Sequence, residues 1–153
     1  MKRLLIGTLA TAALSGSALA HSHGAVTFED HLKPVLAQHC FMCHGPYSPG
    51  IDRFDEDKSG YSAMLVGPRM YAYDELMEFV TGGDAGALMR RLDDGSHTSD
   101  GQPGNMYEYL GETEEERAEN LKLFKRWVGH WTLKRSAEMT DEDHKLIRAL
   151  ERR

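Results

Sequence analysis

The spacing of apolar residues along the chain predicts helices and no strands. Leu76, Phe79 and Val80 stand at i, i+3 and i+4, one face of a helix over 73–80, which Gly82-Gly83 ends. Asp84 is placed to cap a short helix that turns Ala85, Leu88, Met89 and Leu92 inward. Thr113 and Glu116 form a T-x-x-E capping box at the start of the longest helix. Glu114, Glu115 and Glu116 suit the positive end of that helix, and Lys125 and Arg126 suit its negative end. Leu121, Phe124, Val128 and Trp131 make its apolar stripe. Near the N-terminus, Thr27 caps a first helix expected to reach about Cys40, and Pro34 either kinks it or marks its true start. Residues 45–57, rich in Gly, Pro and Asp, read as a loop, and 59–65 as a short helix. A long loop over 93–105 is punctuated by Gly95, Gly101, Pro103, Gly104 and Asn105. A last helix starts at Thr140 and runs to the C-terminus, with Leu146, Ile147 and Leu150 as a narrow apolar face. No alternating pattern and no internal repeat occurs, so the class is all-α.

Composition narrows the function. A chain of 153 residues, 41% hydrophobic and 27% charged, is one globular domain in size and make-up. Its formal charge of −6 provides no basic excess to neutralise phosphates, which excludes nucleic acid as a partner. No apolar run is long enough for a membrane span. Lys2 and Arg3, a short apolar run over 4–14 and Ala18-Leu19-Ala20 form an export signal cleaved before His21. The protein is therefore expected in the periplasm or outside the cell. The organisation read from sequence is a signal peptide over 1–20, a main domain over 21–133 and a helical extension over 134–153. Loss of Lys2 and Arg3 takes the mature chain to a charge near −8. The new terminus, His21-Ser22-His23, has two readings: a square-planar copper or nickel site, or an ordinary disordered end.

Candidate chemistry enters with the only two cysteines, in Cys40-Phe41-Met42-Cys43-His44. This is the C-x-x-C-H pattern of covalent haem attachment. Two thiols separated by two residues can reach the two vinyl groups on one side of a porphyrin, and the adjacent imidazole can bind iron. A Cys40–Cys43 disulfide of the thiol-oxidoreductase kind would want a βαβ context that the chain lacks. Zinc would want a fuller ligand set.

The order of elements then resembles a class I c-type cytochrome: an N-terminal helix ending in C-x-x-C-H, short middle helices, a ligand loop and an aromatic-bearing C-terminal helix. The resemblance spans roughly 21–131. Gly104-Asn105-Met106-Tyr107, followed by 121–128, is also similar to small monohaem bacterial periplasmic cytochromes. The resemblance implies a cytochrome c-like helical fold around one covalent haem c, with an extra C-terminal helix. It also implies a distal methionine from the loop before the main helix, which is Met106. Met70, in Gly67-Pro68-Arg69-Met70, is its rival and His97 a third candidate; Met64, Met77 and Met89 read as core filling. Arg69, Arg90 and Arg91 are candidates for pairing with haem propionates or for plain surface charge. Phe124 and Trp127 either line the haem's apolar wall or pack the core without touching it. His39 reads as a hydrogen-bonding residue and the run Asp52, Asp55, Glu56, Asp57 as a solvated loop.

The implied function is single-electron transfer between redox proteins through a His/Met-ligated haem, without catalysis. Two alternatives stay open. One is a haem enzyme or gas sensor with an open iron and His97 as distal acid/base. The other is a haem-bearing subunit of a larger electron-transfer assembly, and self-association is compatible with the sequence. Lys122, Lys125, Arg126, Lys134 and Arg135 gather near the end of the main helix, either to complement its dipole or to dock an acidic partner.

Overall fold

Thr27 starts the fold. Its hydroxyl accepts from the Asp30 N–H at 3.4 Å, and Leu32 donates to the Thr27 carbonyl, so Phe28–Leu32 winds as one wide π-turn. Pro34 follows in the first turn of α1 (Lys33–His39), where its missing N–H costs nothing. Of the two readings of Pro34, the start of a regular helix is the one realised. The structure, a computed structural model, describes residues 25–147 and 149. The export segment, the His21-Ser22-His23 terminus and Leu150 lie outside the described residues.

Seven further α-helices follow: α2 (Phe41–His44), α3 (Ile51–Glu56), α4 (Lys58–Ala63), α5 (Tyr73–Met77), α6 (Ala87–Leu92), α7 (Glu114–Val128) and α8 (Asp141–Leu146). Two 3-10 turns, Tyr107–Leu110 and Ser136–Glu138, complete the order. Among the described residues the only β pairing is a single antiparallel bridge between Gly129 and Ile147. The all-α class is thus observed.

Four local expectations are corrected. The 45–57 loop contains α3, because Phe54 has an apolar site to fill: it is buried and stacks on Tyr61 at 5.9 Å. Asp84 does not cap α6. Gly86 does so in left-handed backbone, and Asp84 instead pairs with Arg90 at 2.9 Å. Helix α7 stops at Val128, with Gly129 at φ 77, so Trp131 falls outside the helical stripe and Trp127 takes a place in it. Helix α8 ends at Leu146, which is exposed, and Ile147 leaves the helix for its bridge.

The core joins the two ends of the chain. Phe28, Leu32 and Leu36 from the first segment meet Leu121, Phe124, Trp127 and Val128 of α7, with Leu76, Leu88 and Met89 filling between. At the crossing, Phe28, Tyr73 and Trp127 form a ring cluster with centroids 5.8 to 6.4 Å apart. Edge-on contacts of this kind add to the burial of large aromatic surfaces. The π-turn over Phe28–Leu32 is thereby fixed against α7, and α1, which continues from it, carries the C-x-x-C-H turn at its end.

Candidate haem site

The motif winds as a helical turn. Cys43 and His44 both donate backbone N–H to the Cys40 carbonyl, at 3.1 and 2.9 Å. Positions i, i+3 and i+4 share a face, so two thiols and one imidazole point the same way. Both cysteines are free and half-buried. Burial pushes the Cys40 thiol up to about 11, with Cys43 adding to the effect. A redox-active C-x-x-C needs a thiolate of lowered pKa, and Cys40 is moved in the opposite direction.

A strap from 67 to 70 runs beside this turn. Gly67 donates to the Cys43 carbonyl, Arg69 to Pro49 and Met70 to His44, all at 2.8 to 2.9 Å. The Pro68 carbonyl lies 2.7 Å from His44 Nδ1. A carbonyl only accepts, so Nδ1 carries the hydrogen and Nε2 is left with its lone pair. Burial lowers the His44 pKa; the Pro68 bond opposes this and the nearby Arg91 charge reinforces it. Burial and the Arg91 charge thus favour the neutral ring, the form that binds a metal. Gly67 makes the approach possible, since a Cβ there would stand 2.1 Å from His44 Cε1. Sequence reasoning weighed this segment for Arg69 and Met70 and missed Gly67 and Pro68; the Gly-Pro pair was the available signal. Ser48 was missed too: its hydroxyl donates to the Cys43 carbonyl at 2.9 Å.

The loop carrying Met106 is tied to the same neighbourhood. Met106 donates its N–H to the Arg91 carbonyl at 2.9 Å, and the Arg91 guanidinium donates to Asn105 Oδ1 at 2.9 Å. Gly104 crosses α6 so closely that a Cβ would meet the Arg91 carbonyl oxygen at 2.3 Å. Downstream, the Tyr107 hydroxyl donates to Glu114, Asn120 donates to the Leu110 carbonyl and Arg117 to that of Gly111. Burial, then Glu114, raises the Tyr107 phenol to about 12. Met106 is half-buried and packs on the core.

Other candidates are placed elsewhere or otherwise engaged. Arg69 is ion-paired with Glu75. His97 Nδ1 is 3.0 Å from Asp93 Oδ2, and its ring meets Trp131 edge-on at 4.6 Å. Asp93, Asp94 and His97 bring possible ligand atoms within 4.8 Å of one another, but both Asp93 oxygens are already used by Gly95 and His97. Phe124 and Trp127 are fully buried, and Trp127 Nε1 has no hydrogen-bond partner among the described residues. In the basic cluster, Lys125 lies over Trp131 at 4.3 Å and Lys134 pairs with Asp143 at 2.8 Å. His39 pairs with Glu116.

The sequence profile described as PccH cytochrome c matches residues 27–149. The chain belongs to the PccH cytochrome c family. It is 43% identical to the monohaem cytochrome PccH from Geobacter sulfurreducens, whose solved structure matches with a TM-score of 0.76 over 82% of this chain and 98% of that one. No curated protein matches the chain. Membership in the PccH cytochrome c family implies one covalently bound haem c with iron and points to electron transfer with redox partners. The residues present fit that group: two unoxidised thiols, an imidazole offering Nε2, and a strap that reaches the imidazole through Gly67 and Pro68. Among the described residues no helix is long and apolar enough to cross a membrane.

Proposed function

We infer that the protein is an exported carrier of single electrons, with Cys40, Cys43 and His44 holding haem c and Met106 supplying its distal ligand. The hydrogen bond from His44 Nδ1 to the Pro68 carbonyl carries this reading, because it fixes the tautomer that offers Nε2 beside two free thiols. When bound, haem c supplies an Fe(III)/Fe(II) couple at that position.

Met106 is favoured over Met70 for a geometric reason. Met70 belongs to the strap that already holds His44, through Pro68 at Nδ1 and through its own N–H at the His44 carbonyl. A distal ligand should come from a different segment. The 104–107 segment qualifies, being tied to Arg91, whose charge is felt at His44. A thioether donor there favours the ferrous state. Arg91 is also the arginine best placed to meet a propionate, since Arg69 is committed to Glu75. His97, engaged with Asp93, is poorly disposed to serve as a distal acid/base. Family members are typically exported, which agrees with the signal-like first twenty residues and supports a periplasmic location. Within the basic cluster, Lys122 and Arg126 retain the freedom to meet an acidic partner, whereas Lys125 and Lys134 serve contacts inside the chain.

The test is the visible spectrum of the haem-loaded protein in both oxidation states. Met106→Ala should abolish the weak long-wavelength sulfur-to-iron band and lower the potential. Loss of that band in Met70→Ala, with Met106→Ala unchanged, would move the role to Met70. Haem released by acid-acetone would overturn attachment through Cys40 and Cys43.

A further inference from the structure

Among the described residues, seven large apolar side chains are exposed, and four of them belong to segments that meet at the Cys43 carbonyl. They are Met42, at 96% of full exposure, Tyr47 at 101%, Met64 at 63% and Leu65 at 76%. The Cys43 carbonyl joins them. It accepts from Gly67, two residues after Leu65, and from the Ser48 hydroxyl, next to Tyr47, while Met42 precedes it in the chain. An apolar cluster of this kind beside a redox site marks a contact surface.

Leu65 sharpens the case. It sits at φ 58, the single described residue other than glycine in left-handed backbone. The Leu65 and Val66 N–H groups close the end of α4 on the Ser62 and Tyr61 carbonyls, a Schellman-type ending that ordinarily takes glycine. Leucine there is strained by its Cβ, and at this exposure it gains almost no burial in return. Nothing among the described residues accounts for a leucine at this position.

The rim supplies the sign of the partner. Helices α3 and α4 flank Met64 and Leu65 and carry Asp52, Asp55, Glu56 and Asp57 against Arg53 and Lys58. Lys58 is spent on Asp55 at 2.9 Å, and Arg53 donates to the Tyr61 hydroxyl. Asp52 and Glu56 form no ion pair among the described residues and are exposed. An apolar centre with a charged rim is the ordinary anatomy of a transient protein interface.

Resting on the electron-transfer reading above, we propose that the surface formed by Met42, Tyr47, Met64 and Leu65 is where this protein exchanges electrons, and that its partner is a redox protein presenting an apolar face with a basic rim. The apolar centre fixes the contact, and Asp52 and Glu56 steer the approach. This face is separate from the Lys122 and Arg126 region on α7.

The test mixes the reduced, haem-loaded protein with two oxidants in a stopped-flow instrument. One is mitochondrial cytochrome c, whose haem edge is ringed by lysines; the other is hexaammineruthenium(III), a small cation that needs no apolar contact. Leu65→Asn is the informative variant, because asparagine accepts left-handed backbone and should leave the fold intact. Combined with Met64→Gln, it should slow the protein oxidant roughly tenfold and leave the small cation within about twofold. Asp52→Lys with Glu56→Lys should slow the protein oxidant and flatten its salt dependence. Protein-oxidant rates indifferent to both pairs of changes, with the small cation still reacting, would overturn the docking face and leave electron transfer standing. Failure to react with either oxidant would overturn the electron-transfer reading itself. A dimer in sedimentation that Leu65→Asn splits would make the occupant a second copy of the chain and overturn the basic partner.

Discussion

His39 Nε2 lies 3.3 Å from Glu116 Oε1, which ties the residue before the first thiol to the first turn of α7. The second Glu116 oxygen accepts from the Glu112 N–H at 2.8 Å, while the Thr113 hydroxyl accepts from the Glu116 N–H at 3.1 Å. One carboxylate thus closes the start of α7 and fastens the haem-attachment turn to it. Thr113→Ala should cost about 1 kcal/mol, an ordinary cap loss. Glu116→Ala should cost more, about 2 kcal/mol, because it also leaves the largely buried His39 ring without its partner. Denaturant unfolding of the haem-loaded proteins measures both, and equal losses in the two variants would mean that the His39 contact contributes nothing.

Gly67 is the least replaceable residue of the strap. An added Cβ would fall 2.1 Å from His44 Cε1 and 2.5 Å from Nδ1, so ring or strap has to shift. Gly67→Ala should destabilise the protein by about 1–3 kcal/mol, as overpacking does. It should also disturb the His44 ring, lengthening its bond to the Pro68 carbonyl and altering the haem spectrum. Gly50→Ala is the control, since its Cβ would meet nothing within 4 Å. A Gly67→Ala protein with unchanged stability and spectrum would show that the strap yields freely.

The class and the main elements could be read from the chain because their signals are local. Thr113 with Glu116 marks α7, Thr27 and Thr140 mark two other helix starts, and the inward face of α6 follows helical spacing, whereas the helix expected over 73–80 ends at Met77 and leaves Phe79 and Val80 buried in the turn that follows. Helix α3 could not be read so, because one buried Phe54 among Gly, Pro and Asp leaves no periodicity to detect. The ends of α7 and α8 were missed for a related reason. Gly129 adopts φ 77 and pairs with Ile147, a contact between distant segments that no local pattern announces. At the site, the thiols and imidazole are visible as a motif, whereas the Pro68 carbonyl is backbone 24 residues away from His44 and has no side-chain signature.

Trp127 separates packing from hydrogen bonding. Its indole is fully enclosed, set against Phe28 and Tyr73, and its Nε1 donor has no partner among the described residues. Trp127→Ala should cost about 3–5 kcal/mol through the cavity it opens. Trp127→Phe keeps much of the aromatic contact and removes an unsatisfied buried donor, so its loss should be well under half as large. Comparable losses in the two variants would show that the indole's full size, rather than its aromatic face, is what the crossing of the first segment and α7 requires.

The junction that holds α8 carries the clearest acid dependence. Lys134 Nζ lies 3.0 and 2.8 Å from the two Asp143 oxygens, and the Thr140 N–H and hydroxyl each donate to Oδ2 at 2.8 Å. Lys134 first, then Thr140, hold the Asp143 carboxyl far below its ordinary value of 3.8. A folded-state pKa below the unfolded one stabilises the folded form at pH values above the unfolded pKa. That stability fades as pH falls through the gap toward the folded pKa. Docking of α8 should therefore hold unchanged down to about pH 4 and weaken progressively below it. Lys134→Met removes the first cause, so it should weaken α8 at neutral pH and leave less to lose in acid. Amide exchange across 141–146, followed from pH 6 to pH 3 in both proteins, reads this directly. Protection that falls equally in the two proteins would show that the Lys134–Asp143 pair does not hold the helix.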